Sequence, residues 1–283
     1  MEHLILQKDI DALLAWALRN KIKFHPDKCK VVKICTQVEK EMDKFPYKLG
    51  DNFLEYTEVE KDLGVQVTPK LMWNLQWDAL ISKAKSRLGL TKRTCHFMKD
   101  TRKRLVFYKT MVRSLFQHCA EIWRPSTKTA LDKFEAVQKR AVKWIFKEDW
   151  EKYTQDLYRS KLYQLELLPI DHRFQYGDLK LFFRVINNDV CIKLADYLEL
   201  VGPEEYMPGE TRLRQTHKDP LYFKCTIDAR VWTFKHSFFY RAHLLWNKLP
   251  LSLRLIQEKI EFDKSLKEYY LGLNKPHVLV EPD

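Results

Sequence analysis

Apolar residues from Trp73 to Leu88 recur at the spacing of an α-helix, and basic residues border them on both sides. At roughly 100° per residue, one narrow stripe contains Trp73, Trp77, Leu80, Ile81, Ala84 and Leu88. Lys83 and Arg87 border the stripe on one side, and Lys85 and Lys92 on the other. The pattern predicts an amphipathic helix with an apolar face toward a core and cations at both edges.

A second helical stripe follows and consists of Leu105, Tyr108, Val112, Leu115 and Phe116. Arg102, Lys109 and Arg113 accompany it at positions i, i+7 and i+11, so a straight helix would align three cations along one edge. Such an edge suits a row of phosphates. For each residue taken singly, an ordinary solvated Lys or Arg remains the favoured alternative.

The positive charge of the chain is concentrated in these two predicted helices. Residues 83–113 carry eleven Lys and Arg opposed by Asp100 alone, which gives +10 of the formal net charge of +12. We call the Lys and Arg of this segment the basic ridge. A concentrated basic surface is typical of proteins that bind a phosphate backbone. We expect nucleic-acid contacts from Lys83, Lys85, Arg87, Lys92, Arg93, Arg102, Lys109 and Arg113.

Composition excludes several classes of protein. The chain has 283 residues, 45% of them hydrophobic and only 7 of them Gly, which excludes a disordered or fibrous protein. The six cysteines form no C-x-x-C pair, so no zinc module or disulfide framework is expected, and reduced thiols fit a nuclear or cytoplasmic location. No apolar run approaches the roughly 20 residues of a membrane span, and no signal peptide is expected.

The order of patterns along the chain predicts an α+β fold that is predominantly α-helical, with a small antiparallel β piece. Residues 1–68 contain one helical pattern and short strand patterns, including a hairpin turn at Gly50. Residues 69–200 carry a series of helical patterns, interrupted at Trp123-Arg124-Pro125 and at Pro169. Residues 201–220 hold Gly202, Pro203, Pro208, Gly209 and Pro220 and form the best candidate linker, and residues 221–283 return to helical patterns.

Six segments carry a resemblance to a known family. They are LQKDIDALLAWALRNKIKFHPDKCKVVKI (Leu6–Ile34), EKDLGVQV (Glu60–Val67), KAKSRLG (Lys83–Gly89), YKTMVRSLFQHCAEIW (Tyr108–Trp123), FEAVQKRAVKWI (Phe134–Ile145) and SFFYRAHLLWNKLP (Ser237–Pro250). In this order and approximate spacing they resemble the C-terminal half of a LINE-type, jockey-like reverse transcriptase of non-LTR retrotransposons. The likeness runs over nearly the whole chain.

This resemblance implies that residues 1–68 are the end of a polymerase palm and that residues 69–200 form a helical, thumb-like region. The family's palm holds its Mg²⁺ ions on an Asp-Asp motif, and this chain has no Asp-Asp dipeptide. Two-metal phosphoryl transfer needs closely spaced carboxylates. We therefore expect no catalytic activity, metal ion or cofactor in this chain alone, although the full-length family enzyme uses Mg²⁺. The expected partners are an RNA or RNA/DNA duplex and the missing N-terminal polymerase half, with no membrane and no small-molecule substrate.

The resemblance also implies roles for two short segments. Lys28 matches a palm lysine that approaches the incoming triphosphate, which makes it an accessory catalytic candidate; a solvated turn lysine is the alternative. Leu63, Gly64 and Val65 match a turn that grips the primer end, and a simple bend in a strand is the alternative. A second hypothesis for the whole chain is a non-catalytic nucleic-acid-binding or assembly protein derived from such an element.

Overall fold

The computed structural model describes residues 2–34, 45–147, 154–201, 221–226 and 232–276. It is 61% helical, which confirms the predominantly α-helical α+β class. The chain forms two compact units, Met1–Asp78 and Ala79–Asp283. The sequence places the first boundary at 68/69 and a linker at 201–220, whereas the regions on both sides of that linker belong to the second unit. Residues 202–220 of the linker lie outside the described part of the chain.

The first unit combines one helix with three short strand pairs. Helix α1 (Glu2–Arg19) is followed by β1 (Lys30–Val31), β2 (Lys48–Leu49), β3 (Asn52–Phe53), β4 (Glu55–Tyr56), β5 (Glu60–Asp62) and β6 (Val65–Val67). The β2–β3 and β5–β6 pairs are antiparallel hairpins, and the first of them confirms the turn predicted at Gly50. The β1–β4 pair is parallel, contrary to the predicted all-antiparallel piece. A long connection through the β2–β3 hairpin makes the parallel pairing possible.

The second unit is built from helices around one central helix. Its elements are the greater part of α2 (Asn74–Thr94), then α3 (Thr101–Phe107), α4 (Ala120–Trp123), α5 (Lys128–Phe146), α6 (Gln155–Gln164), α7 (Ile170–Ile186), β7 (Leu198–Leu200), β8 (Phe223–Cys225), α8 (Trp232–Lys235), α9 (Phe238–Asn247), α10 (Leu251–Arg254) and α11 (Lys259–Leu273). Helix α7 packs against α4, α5, α9 and α11. Strands β7 and β8 pair antiparallel on either side of residues 202–220.

Aromatic side chains fill the core at both ends of α7. Near its start, Phe174 lies edge-on to Trp123 and Phe134, with ring centroids 5.7 and 5.9 Å away. Near its end, the rings of Phe183 and Phe262 stack at 4.2 Å. Each ring is almost fully buried, so these contacts account for much of the apolar surface that α7 removes from water. The position of α7 is therefore fixed along its whole length.

A buried carboxylate also holds α7 to its neighbours. Asp178 is 1% exposed, and its Oδ2 lies 2.6 Å from Nη1 of Arg124 and 3.3 Å from Nε of Arg241. Arg241 also donates to the carbonyl oxygen of Glu121 at 2.8 Å. Asp171 lies two turns before Asp178 on the same face of α7 and accepts a hydrogen bond from Nη2 of Arg124 at 2.9 Å. The network thus joins α7 to α9 and to the segment between α4 and α5.

Replacement of Asp178 is expected to destabilise the second unit strongly. Asp178→Asn keeps the shape of the side chain but leaves Arg241 without its counter-charge and Arg124 with Asp171 alone. We expect a loss of about 3–5 kcal/mol in the free energy of unfolding. Urea denaturation measures this loss. Asp171→Asn is the matched control, because Asp171 contacts the same Arg124 from a half-exposed position and should cost less than about 1 kcal/mol. Equal losses for the two variants would contradict the central role of Asp178.

The β5–β6 hairpin turns on two residues with positive φ, Leu63 at 46° and Gly64 at 90°. Glycine adopts this backbone freely, but a leucine in the left-handed region is strained. The Leu63 side chain is also 83% exposed, so it gains little from packing. The strain at this turn is therefore not offset by burial of the leucine.

Leu63→Asn is accordingly expected to stabilise the first unit by about 0.5–1 kcal/mol, since asparagine is favoured at positive φ in two-residue hairpin turns. Thermal unfolding monitored by a first-unit probe measures the change. Gly64→Ala provides the opposite control and should destabilise the hairpin. A neutral result for both variants would show that the turn geometry contributes nothing to stability.

Candidate nucleic-acid interface

Helix α2 carries five of the eight predicted contact residues. Lys83, Lys85 and Arg93 are exposed, while Arg87 and Lys92 are half-buried. Of the predicted stripe, Trp77, Ile81, Ala84 and Leu88 are buried, whereas Trp73 and Leu80 are half-buried. Because the stripe anchors the helix, the cations at its edges project from a fixed support.

The basic surface continues from α2 onto α5. Burial, and next to it the charge of Arg140 on α5, lowers the pKa of Lys92. Arg140 is itself exposed. The guanidinium group of Arg140 affects the pKa of the Lys92 ammonium group only if the two groups lie close together. The exposed charge of Arg140 therefore adds to the positive potential around Lys92.

The first turn of α3 presents further exposed cations. Asp100 caps this helix: its Oδ1 accepts from the backbone N–H groups of Arg102 at 2.7 Å and of Lys103 at 3.4 Å. The cap leaves both basic side chains exposed. Asp100, the one carboxylate among residues 83–113, therefore accepts hydrogen bonds from backbone N–H groups and acts as the N-cap of α3.

Arg104 belongs to the ridge in sequence but lies in the core. It is 1% exposed, and its Nη1 donates to the carbonyl oxygens of Trp144 at 3.0 Å and Ile145 at 3.2 Å. Its Nη2 donates to the carbonyl oxygen of Met98. The carbonyls at the end of α5 have no partners within the helix, so Arg104 caps α5 and is unavailable to a ligand.

The predicted alignment of Arg102, Lys109 and Arg113 does not form. Regular α-helix ends at Phe107, and a π-helical turn over Tyr108–Val112 and a 3₁₀ turn over Arg113–Phe116 follow. These turns change the angular step per residue, so the i, i+7, i+11 spacing no longer places three side chains on one edge.

Packing explains the change of helix type. The fully buried Tyr108 donates from its hydroxyl to Oε1 of Gln138 on α5 at 2.8 Å, and Val112 is also fully buried. Holding both in the core turns Arg113 inward. Burial, followed by the charge of Arg173 on α7, lowers the pKa of Arg113 to about 10. Burial also lowers the pKa of Lys109, with the charge of Arg113 as the next cause.

The two candidate segments of the first unit occupy exposed turns. Lys28 ends a 3₁₀ turn, Pro26–Lys28, and is exposed. Leu63 and Gly64 form the tip of the β5–β6 hairpin, whereas Val65 is 4% exposed and begins β6. The accessory role of Lys28 and the primer-contact role of the turn stay predictions.

Within the described ranges, no group of three or more His, Cys, Asp or Glu side chains is arranged to hold a metal ion. Neither Cys95 nor Cys119 forms a disulfide within the described residues. Among the helices that the structure describes, none has the length and apolar character needed to cross a membrane. Comparison of the chain with protein-family models, with curated proteins and with solved structures finds no match.

The sequence reading missed a second set of cations. Arg173, Lys180 and Arg184 lie on α7 at i, i+7 and i+11, the same spacing that was expected in the ridge. Here the helix is a regular α-helix throughout, so the three side chains do share one face. The spacing is visible in the sequence, but Asp171 and Asp178 reduce the formal charge of this helix to +1, so it does not stand out as the ridge does.

Arg104 and the exposed ridge cations should respond differently to substitution. Arg104→Met removes the charge-assisted hydrogen bonds at the end of α5 and is expected to lower the free energy of unfolding by about 1–3 kcal/mol. Arg102→Met, on the exposed first turn of α3, should change stability by less than about 0.5 kcal/mol. Chemical denaturation compares the two. A neutral Arg104→Met variant would contradict the capping role.

Proposed function

We propose that this chain is the nucleic-acid-binding part of a non-LTR retrotransposon reverse transcriptase, formed by the end of the palm and the thumb, without the catalytic Asp-Asp motif. It binds an RNA or RNA/DNA duplex through the phosphate backbone and does not polymerise alone. The observation that carries the proposal is the set of exposed cations on α2 and α3, continued by Arg140 on α5. The family resemblance adds the expected order of palm and thumb.

The arrangement favours backbone contacts over base recognition. Lys83, Lys85 and Arg93 point away from a helix whose opposite face is buried, so their charged ends are presented at the surface of the second unit. Phosphate contacts of this kind fix position and register but do not read sequence. An A-form duplex is recognised mainly by shape, phosphates and 2′-hydroxyls, which suits such a surface.

The first unit supports the proposal that a palm is missing its other half. Apolar side chains of α1 remain exposed, with Leu4 at 58%, Leu13 at 50%, Trp16 at 48% and Leu18 at 67%. A helix with apolar residues around most of its surface is normally buried on several sides. The remainder of a polymerase palm is the partner that the resemblance supplies for this surface.

The alternative is a non-catalytic nucleic-acid-binding or assembly protein derived from such an element. It uses the same ridge, and it differs in having no polymerase reading frame upstream. An in-frame Asp-Asp hairpin a few dozen codons upstream would favour the polymerase fragment, and its absence would favour the alternative. Under both hypotheses the purified chain incorporates no nucleotides, so incorporation by the chain alone would overturn both.

Charge reversal on α2 tests the interface. Affinity for an RNA/DNA hybrid decreases as salt is added. In the Lys83→Glu, Lys85→Glu, Arg93→Glu triple variant, the slope of log affinity against log salt should become less steep by about 2–3, since each phosphate contact contributes about 0.7–0.9. Fluorescence anisotropy at several salt concentrations measures the slope. The loss should be the same for hybrids of unrelated sequence.

A matched control exists in the same unit. Lys259→Glu, Lys264→Glu, Lys275→Glu changes the net charge of the chain by the same amount at exposed positions on and just after α11. This control should leave the salt slope within about 0.5 of wild type. An equal decrease in both triple variants would mean that net charge, and not the ridge, determines binding.

A further inference from the structure

The corner between α2 and α3, residues 95–100, presents an aromatic ring to solvent. Among the phenylalanine and tryptophan side chains that the structure describes, Phe97 is the most exposed, at 70%. Its ring centroid lies 5.7 Å from that of His96, and the two ring planes are 86° apart. A perpendicular contact of this kind covers at most one face of the Phe97 ring. The ring therefore keeps a face that is accessible to a ligand.

Hydrogen bonds hold the backbone on both sides of this ring. The N–H of Met98 donates to the carbonyl oxygen of Cys95 at 3.1 Å, and Cys95 is itself buried. Arg104 donates to the carbonyl oxygen of Met98 and to the end of α5, and Asp100 caps α3 directly afterwards. Phe97 thus projects from a fixed support, which keeps the entropic cost of ordering it on binding small.

Positive charge surrounds the exposed ring. Arg93 lies one turn earlier on α2, and its carbonyl oxygen is 3.0 Å from Nδ1 of His96. The Cα atom of Lys99 is at most about 7.6 Å from that of Phe97, because only two peptide units separate them. The exposed cations within six residues of the ring are Arg93, Lys99, Arg102 and Lys103. The one carboxylate in this interval, Asp100, accepts hydrogen bonds from the backbone of α3.

The exposed face of α3 repeats this combination of charge and apolar surface. Arg102 and Val106 are an i, i+4 pair on the helix, as are Lys103 and Phe107, so the members of each pair are neighbours on its surface. Val106 is 57% exposed and Phe107 is 38% exposed. The centre of a protein–protein interface is depleted of charged residues, and of lysine in particular. Cations interleaved with exposed apolar groups instead favour a nucleotide, which joins an anionic phosphate to a flat base.

We propose that Phe97 stacks on an unpaired nucleobase, while Arg93 and Lys99 contact the phosphates on either side of it. This rests on the proposed function and adds to it that the preferred ligand is a junction between duplex and single strand. The base must be unpaired, because the bases inside a duplex are already stacked on both faces. Every base has a π face, so stacking adds affinity with little sequence preference.

Binding of the full chain to three RNA/DNA hybrids tests the stack. One hybrid is blunt, one carries a short single-stranded overhang, and one carries an abasic overhang of the same length; overhangs of both polarities are used. Both overhangs carry the same phosphates, so only the bases distinguish them. For at least one polarity, the wild-type protein should bind the base-containing overhang about fivefold or more tightly than the abasic one. Fluorescence anisotropy at one salt concentration measures the ratio.

Phe97→Leu removes the flat ring and keeps an apolar side chain. It should reduce the ratio to about twofold or less while leaving the affinity for the blunt hybrid unchanged, and Phe97→Trp should retain the ratio of the wild type. Because the side chain is largely exposed, neither change should alter the Tm. Phe53→Leu is the matched control, since Phe53 is 63% exposed in the first unit, and it should retain the ratio.

The outcomes separate the stack from the proposed function. Equal binding of the two overhangs by the wild type, a ratio retained by Phe97→Leu, or an equal loss in Phe53→Leu would overturn the stack. The exposed ring would then belong to a contact with another protein. Salt-dependent binding of the blunt hybrid would in each of these cases leave the proposed function intact. Failure of the wild type to bind any of the three hybrids at low salt would overturn both.

Discussion

The second unit depends on the carboxylate of Asp178 and the two guanidinium groups that contact it. Arg124 precedes α5, Arg241 belongs to α9, and Asp178 lies at the middle of α7, so one buried anion fixes three segments that are far apart in sequence. Asp171, at a half-exposed position, accepts a second hydrogen bond from Arg124 and adds a smaller contribution. This network explains why a helix with a charged residue at its centre can be the core of the unit.

A second buried network decides where the ridge cations point. Gln138 accepts from the hydroxyl of Tyr108 and donates to the carbonyl oxygen of Leu168 at 3.0 Å, which joins the segment after α3 to α5 and to the start of α7. The regular helix gives way to π and 3₁₀ turns so that Tyr108 can make this bond. As a result the positive charge divides into an exposed surface on α2 and α3 and an inward-facing set around Arg113 and Arg173.

These two sets have different physical properties. The exposed set is hydrated, is screened by salt and suits reversible contact with a long polyanion. The inward set is partly desolvated, where charge interactions are stronger and an unpaired cation is costly. In the first unit the notable exposed groups are apolar rather than charged. Several leucines and a tryptophan of α1 are exposed to solvent, and the strands beside this helix are short. That unit therefore leaves much of the apolar surface of α1 uncovered.

The sequence by itself determined the helical class, most of α2 and the hairpin at Gly50, because these follow from local periodicity and turn chemistry. It also located the exposed cations of α2. Only the tertiary structure decided that β1 pairs in parallel, that Arg104 caps α5 and that Arg113 is half-buried. Each of these depends on partners tens of residues away, and the packing of buried side chains, rather than the spacing of residues along one helix, selects them.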